Sequence, residues 1–124
     1  MDPNRLTQKT QEALHDAQTK ALRYGHTEID VEHLLLALLE QPDGLVPRLL
    51  ERMAVPTSAL QTALEDHLAG RPSVSGPGAS GDARLSRNLV LVLDDAEKEA
   101  QRLKDDYVSV EHVLLAMINQ GSRT

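Results

Sequence analysis

Glutamate followed by histidine occurs at two matching places in this chain, Glu32-His33 and Glu111-His112. These four side chains are where chemistry would be sought first. Histidine is both an acid–base group and a common metal ligand, and a carboxylate beside it can serve in either role. The spacing does not support those uses: neither pair forms His-Glu-x-x-His, and nothing places three ligands together. A core or helix-start histidine is the reading left for His33 and His112. His15, His26 and His67 have no repeated counterpart and read as surface residues. No Gly-x-Ser-x-Gly elbow accompanies the serines, and no Gly-Lys-Ser or Gly-Lys-Thr is present to cradle a phosphate. No catalytic residue, metal or cofactor is assigned to these 124 residues.

Glu32 and Glu111 each fall in the first turn of an expected helix. A carboxylate there complements the helix dipole, worth about 0.3–1 kcal/mol. The alternative is that two quasi-symmetric carboxylates offer matched sites for a cationic group such as a guanidinium.

The elements that carry these residues come from an internal repeat. Val31-Glu32-His33-Leu34-Leu35-Leu36-Ala37 returns as Val110-Glu111-His112-Val113-Leu114-Leu115-Ala116, and an offset of 79 aligns Arg5–Gln41 with Arg84–Gln120, 14 of 37 pairs being identical. Repetition at a fixed period implies one helical unit used twice, each copy too small to bury its apolar face alone. Thr7 and Ser86 are expected to cap long helices with apolar or small faces, Thr10, Ala13, Leu14, Ala17, Ala21 and Tyr24 in one copy and Leu89, Val92, Leu93, Ala96, Ala100 and Leu103 in the other. Gly25 supplies a stop. In the connectors 26–29 and 105–108, Ile29 and Val108 are expected to tuck under the core. Asp30 and Ser109 cap the two motif helices.

After the break at Gln41-Pro42-Asp43-Gly44, two shorter helices are predicted, over 46–53 and over 58–68, the latter with Thr57 as cap and Gly70 as stop. The first repeat then spans 1–70, a Gly/Pro/Ser-rich linker 71–83, and the second repeat 84–124. The second repeat is expected to be incomplete, the chain being a piece of something longer, with Leu114 and Met117 left partly uncovered. The fold class is all-α: two pseudo-repeats, of four helices and then at least two.

Composition agrees with this. Leu occurs 21 times, Tyr24 and Tyr107 are the only aromatics, and Cys is absent. The core must be aliphatic, and disulfide or thiolate chemistry is excluded. A net charge of −6 gives no basic field for nucleic acid. No run of 18 apolar residues and no signal-peptide core is present, so neither a membrane span nor export by that route is expected, and the cytoplasm is the default compartment.

Leu6-Thr7-Gln8-Lys9 at a helix start, Ala17 with Ala21, Glu32-His33-Leu34-Leu35-Leu36-Ala37-Leu38-Leu39, and Glu111-His112-Val113-Leu114-Leu115-Ala116 together resemble the N-terminal domain of Clp-type AAA+ unfoldases. Within that family, Arg71-Pro72-Ser73-Val74-Ser75-Gly76 and Asp94-Asp95-Ala96-Glu97-Lys98-Glu99-Ala100 look most like the ClpB disaggregase branch, with ClpC and ClpA types nearest to it. The resemblance implies a helical domain joined flexibly to two ATPase modules, which bind ATP and Mg, carry a coiled-coil insertion and form a hexameric ring. The isolated domain would be monomeric. It would capture unfolded or aggregated client proteins for the ring, with Hsp70-type co-chaperones as partners of the full-length protein. Two further helices normally complete the second repeat. By the same resemblance, a functional polar cluster falls on Thr7, Asp105 and Glu111, and an apolar groove takes hydrophobic client segments. In ClpC-like domains Glu32 and Glu111 would instead bind phosphorylated arginine. This chain has Asp30-Val31 and Ser109-Val110 where that pattern has Gly-Thr. The alternatives are thus a ClpC-like domain docking adaptors or phosphoarginine, or a stand-alone regulatory protein of the same kind.

Overall fold

A computed structural model of the chain describes residues 3–73 and 83–122. After a 3-10 turn at Pro3–Arg5, six helices follow: α1 (Gln8–Arg23), α2 (Val31–Glu40), α3 (Leu45–Arg52), α4 (Thr57–Ala69), α5 (Arg87–Arg102) and α6 (Val110–Ser122). Three start at the expected caps. Thr7 Oγ1 accepts the Thr10 N–H at 3.2 Å, Ser86 Oγ the Leu89 N–H at 3.0 Å, and Asp30 Oδ1 the Val31 N–H at 2.8 Å. α1 and α5 end alike, through a left-handed residue that is Gly25 (φ 74°) in one and Lys104 (φ 61°) in the other. The next amides, of His26 and Asp105, then reach back to the carbonyls of Ala21 and Ala100, both at 2.8 Å. α4 departs from expectation: Thr57 is its first helical residue, Pro56 takes the cap position, and no side chain caps it.

α2 is the middle of the molecule and packs against all five other helices. Its sequence allows this, because His33, Leu34, Leu36, Ala37, Leu38 and Leu39 are all buried and cover most of its circumference. Burial of each leucine contributes about 1.5–3 kcal/mol. Ala13, Ala17 and Ala21 on α1 and Ala96 and Ala100 on α5 are buried, which lets the neighbouring axes approach closely.

Helical periodicity predicts no strand, yet two short parallel pairings tie the halves together. β1 (Glu28–Ile29) pairs with β2 (Arg84–Leu85), and Leu6 bridges Val108. The bonds correspond: the Ser86 N–H donates to the Ile29 carbonyl at 2.9 Å, and the Thr7 N–H to the Val108 carbonyl at 3.1 Å. Leu6 with Leu85 and Ile29 with Val108 are each 79 residues apart, so the connector of one half pairs with the lead-in of the other. Ile29 and Val108 are buried, as expected.

The two halves differ in what covers them. On α2, against which α4 packs, Leu36 and Leu39 are 2% and 9% exposed, whereas their counterparts Leu115 and Ile118 on α6 are 37% and 40% exposed. Leu114, expected to be partly open, is buried, and Met117 is half-buried against the core. Leu103, expected on the buried face of α5, is exposed, while its counterpart Tyr24 packs against His26. Of the expected linker, Arg71 folds back onto α2 and Ala83 packs against the core; residues 74–82 lie outside the described residues.

Ala54, just after α3, is held at φ 62° while the Val55 N–H reaches the Leu50 carbonyl at 2.9 Å. A Cβ in the left-handed region costs about 1–2 kcal/mol, partly offset by the greater unfolded-state freedom of glycine. Ala54→Gly is expected to stabilise the fold by about 0.5–1 kcal/mol, a rise of about 2–4 °C in thermal denaturation followed by circular dichroism.

Candidate functional site

Each motif histidine sits at the third residue of its helix, where a side-chain acceptor can satisfy the backbone N–H of the cap residue. His33 Nδ1 accepts the Asp30 N–H at 2.8 Å, and His112 Nδ1 accepts the Ser109 N–H at 2.9 Å, with Ser109 Oγ at 3.0 Å. That use assigns the proton to Nε2 in both rings. What Nε2–H meets is the first difference between the motifs. His33 donates to His26 Nδ1 at 2.8 Å, while His112 donates to Asp105 Oδ2 at 2.9 Å. His26 and Asp105 are 79 residues apart, so the same place holds an imidazole in one half and a carboxylate in the other.

His26 is therefore a buried residue, not the surface residue expected. It is stacked on Tyr24, with ring centroids 5.5 Å apart, because the connector folds back beneath α2. Its Nε2 is buried and has no hydrogen-bond partner within normal geometry among the described residues. Burial and then the charge of Arg71 lower its pKa, against a smaller upward pull from the Leu68 carbonyl. Burial, followed by His26 and Arg71, holds His33 down at about 4, against a smaller upward pull from Asp30.

The expected site residues divide into two places. Asp105 and Glu111 come together: both line an open cleft of about 370 Å³ with Asp106, Tyr107, Ser109 and His112. Thr7 adjoins this region through its N–H bond to Val108, but its hydroxyl is committed to capping α1 and to Thr10 Oγ1 at 2.8 Å, and it does not line the cleft. Glu32 lies elsewhere, at the edge of a groove of about 350 Å³ between α2, α5 and α6 lined also by Val31, Asn88, Val92, Met117, Gln120 and Gly121.

The two glutamates have opposite surroundings. Arg71 Nη2 is 2.7 Å from Glu32 Oε2, with His67 Nε2 at 3.5 Å from the same oxygen, and Arg71 Nη1 is 3.2 Å from Asp30 Oδ2. Glu111 is exposed and has no cation partner among the described residues. Asp106 and Tyr107, which is 56% exposed, are cleft residues that sequence reasoning passed over. Their adjacency to Asp105 in the connector was the one signal that could have found them. Three carboxylates beside an exposed phenol make the cleft a place for cationic or amphipathic side chains. The groove, with valines and a methionine among amides, suits an apolar or extended segment.

Residues 5–124 match the family model of the Clp repeat (R) N-terminal domain. The chain belongs to that family. It is 48% identical over 125 residues to the chaperone protein ClpB of Nitratidesulfovibrio vulgaris and 49% identical over 117 residues to the chaperone protein ClpB of Bacillus cereus. Those alignments cover 100% and 94% of the chain but 14% of either relative. Among solved structures, the N-terminal domain of the ClpV1 ATPase from Escherichia coli is similar, with a TM-score of 0.85 at 26% identity, covering 98% of this chain and 72% of that one. This Clp N-domain is thus mostly helical with a small parallel pairing, as the structure shows directly. No helix among the described residues of the Clp N-domain is long and apolar enough to cross a membrane.

The buried histidine chain makes stability depend on acidity. His33 is depressed in the fold from 6.5 to about 4, so between those values the unfolded chain binds the extra proton. Its contribution is complete above about pH 6.5 and declines as pH falls toward 4, a loss on the order of 3 kcal/mol. Asp30 is also lowered from 3.8: burial raises it, but Ser86, the Val31 N–H and Arg71 together outweigh that, so further stability is lost below pH 3.8. Urea denaturation at pH 7, 5.5 and 4.5 is expected to give falling midpoints, and His33→Gln to flatten that dependence between pH 7 and 4.5.

Proposed function

We propose that this chain is the client-capturing N-terminal domain of a ClpB-like protein disaggregase. It holds exposed segments of unfolded or aggregated polypeptides for a hexameric ATPase ring built by the rest of the protein, which would bind ATP and Mg and work with Hsp70-type partners. The observation that carries this reading is the alignment of 94–100% of the chain with chaperones named ClpB, of which it spans 14% of the length. The cytoplasm is the compartment proposed for it.

The site chemistry supports the role. The cleft of Asp105, Asp106 and Glu111 attracts Lys and Arg side chains, and Tyr107 beside it can stack on a guanidinium or an aromatic ring. Thr7 positions the cleft from behind, through the Val108 carbonyl that its N–H holds. The groove at Val31, Val92 and Met117 takes the apolar residues between such charges. Exposed ion pairs contribute about 0–1 kcal/mol each and are screened by salt. Capture is therefore weak and tolerant of sequence, as a site that accepts many clients requires.

The test is a backbone amide NMR titration of the chain with an unfolded polypeptide containing alternating basic and aromatic residues. Shifts are expected at residues 105–112, with affinity reduced about threefold by Glu111→Gln and further by raising ionic strength to 0.5 M. Affinity indifferent to both changes would sink the proposed cleft, and the absence of any binding would sink the client-capture reading itself.

A further inference from the structure

The two Glu-His motifs differ in a way that their matching residues conceal: the first already holds a guanidinium. Arg71, two residues past the end of α4, turns back over the N-terminus of α2, placing Nη1 at Asp30 Oδ2 and Nη2 between Glu32 Oε2 and His67 Nε2, at 3.2, 2.7 and 2.9 Å. A planar fork held by two carboxylates is the geometry that selects arginine over lysine. At the second motif, Glu111 and Asp105 line a cleft in which no Lys or Arg appears among the described residues.

We infer that Arg71 is an internal occupant of the first carboxylate site, a latch that excludes guanidinium groups from outside. The Clp N-domain then has one open site for arginine side chains, at Asp105 and Glu111, and gains a second at Asp30 and Glu32 when Arg71 swings away. The open half rests on the cleft proposed above; the latch does not. Being tethered, Arg71 competes at an effective concentration of about millimolar or more, so a weakly bound outside ligand is shut out. Opening is nonetheless within reach. The latch contacts are all side chain to side chain, the Arg71 side chain is 27% exposed, and its backbone N–H is held separately by the Leu68 carbonyl at 3.2 Å. Release requires no unfolding of α4.

The experiment uses the 124-residue chain and a flexible Gly/Ser peptide carrying one arginine, with the same peptide carrying citrulline, its uncharged analogue, as control. Backbone amide NMR reads both sites at once. In the unmodified chain, amides 31–34 are expected to stay in place at peptide concentrations that shift amides 109–113. In Arg71→Ala, amides 31–34 respond with a midpoint at least about tenfold lower than before, and the citrulline peptide leaves them unmoved. Arg71→Gln, which retains hydrogen-bond donors without charge, is read by the same criteria should Arg71→Ala lose its dispersed spectrum. Equal midpoints for amides 31–34 with and without Arg71, or no response there in either folded variant, would overturn the latch. Silence at 109–113 alongside a response at 31–34 in Arg71→Ala would remove the open cleft and leave the latch standing.

Discussion

The arrangement depends most on one carboxylate, that of Asp30. Its Oδ1 accepts the Val31 N–H and the Ser86 hydroxyl, both at 2.8 Å, and its Oδ2 accepts from Arg71 at 3.2 Å. The Ser86 hydroxyl is used twice, since it also accepts the Leu89 N–H as the cap of α5. One side chain thus starts the central helix, fixes where α5 starts relative to it, and holds Arg71, two residues past α4. Both ends of the connection between the halves are anchored on the same two oxygens. A half-buried carboxylate in such a place must be ionised to do this work, and its three donors keep it so by outweighing the effect of burial.

Comparing the halves shows what moving a single charge accomplishes. In the first, the acid stands at the cap, as Asp30, and the connector carries His26; in the second, the cap is Ser109 and the connector carries Asp105. Either way the motif histidine keeps its backbone cap and finds an acceptor for Nε2–H. The helix start is therefore satisfied in both. The negative charge, however, is neutralised beneath Arg71 in one half and faces solvent beside Glu111 in the other. The structural duty of the motif is shared, and its charge surroundings are not.

Much of the fold was legible because it is local. Thr7, Asp30 and Ser86 cap helices through partners within three residues, and Ile29 and Val108 are single apolar residues in polar connectors with nowhere to go but the core. What was not legible depends on distant segments. Pairings such as Ile29 with Leu85 are too short to leave a period-two pattern. Arg71 and Glu32 are 39 residues apart, and nothing in a Gly/Pro/Ser tract says that its first cation folds back. Periodicity also treats Leu36 and Leu115 alike, since both lie on an apolar stripe, although α4 covers one and not the other. His26 looked like a surface residue because its burial comes from stacking on Tyr24 and bonding to His33, both set by the turn at Gly25. Resemblance groups Asp105 and Glu111 in one cluster, and in the structure the two line the same cleft. Thr7 does not line it.

Placing the open carboxylates at the start of α6 has a mechanical consequence. α2 touches every other helix and cannot tilt without disturbing the whole core, whereas α6 presents Leu115 and Ile118 outward and owes its position chiefly to α5. A binding group at the rigid centre would be well ordered but shielded, and here that place is taken by Arg71. At the start of a peripheral helix, the same Glu-His motif is still held firmly, because His112 is fixed at both ring nitrogens by Ser109 and Asp105. Firm backbone placement with exposed acidic tips gives contacts that form without reorganising the protein and that water and salt readily compete away. In the role proposed above, those properties suit brief engagement of a client segment.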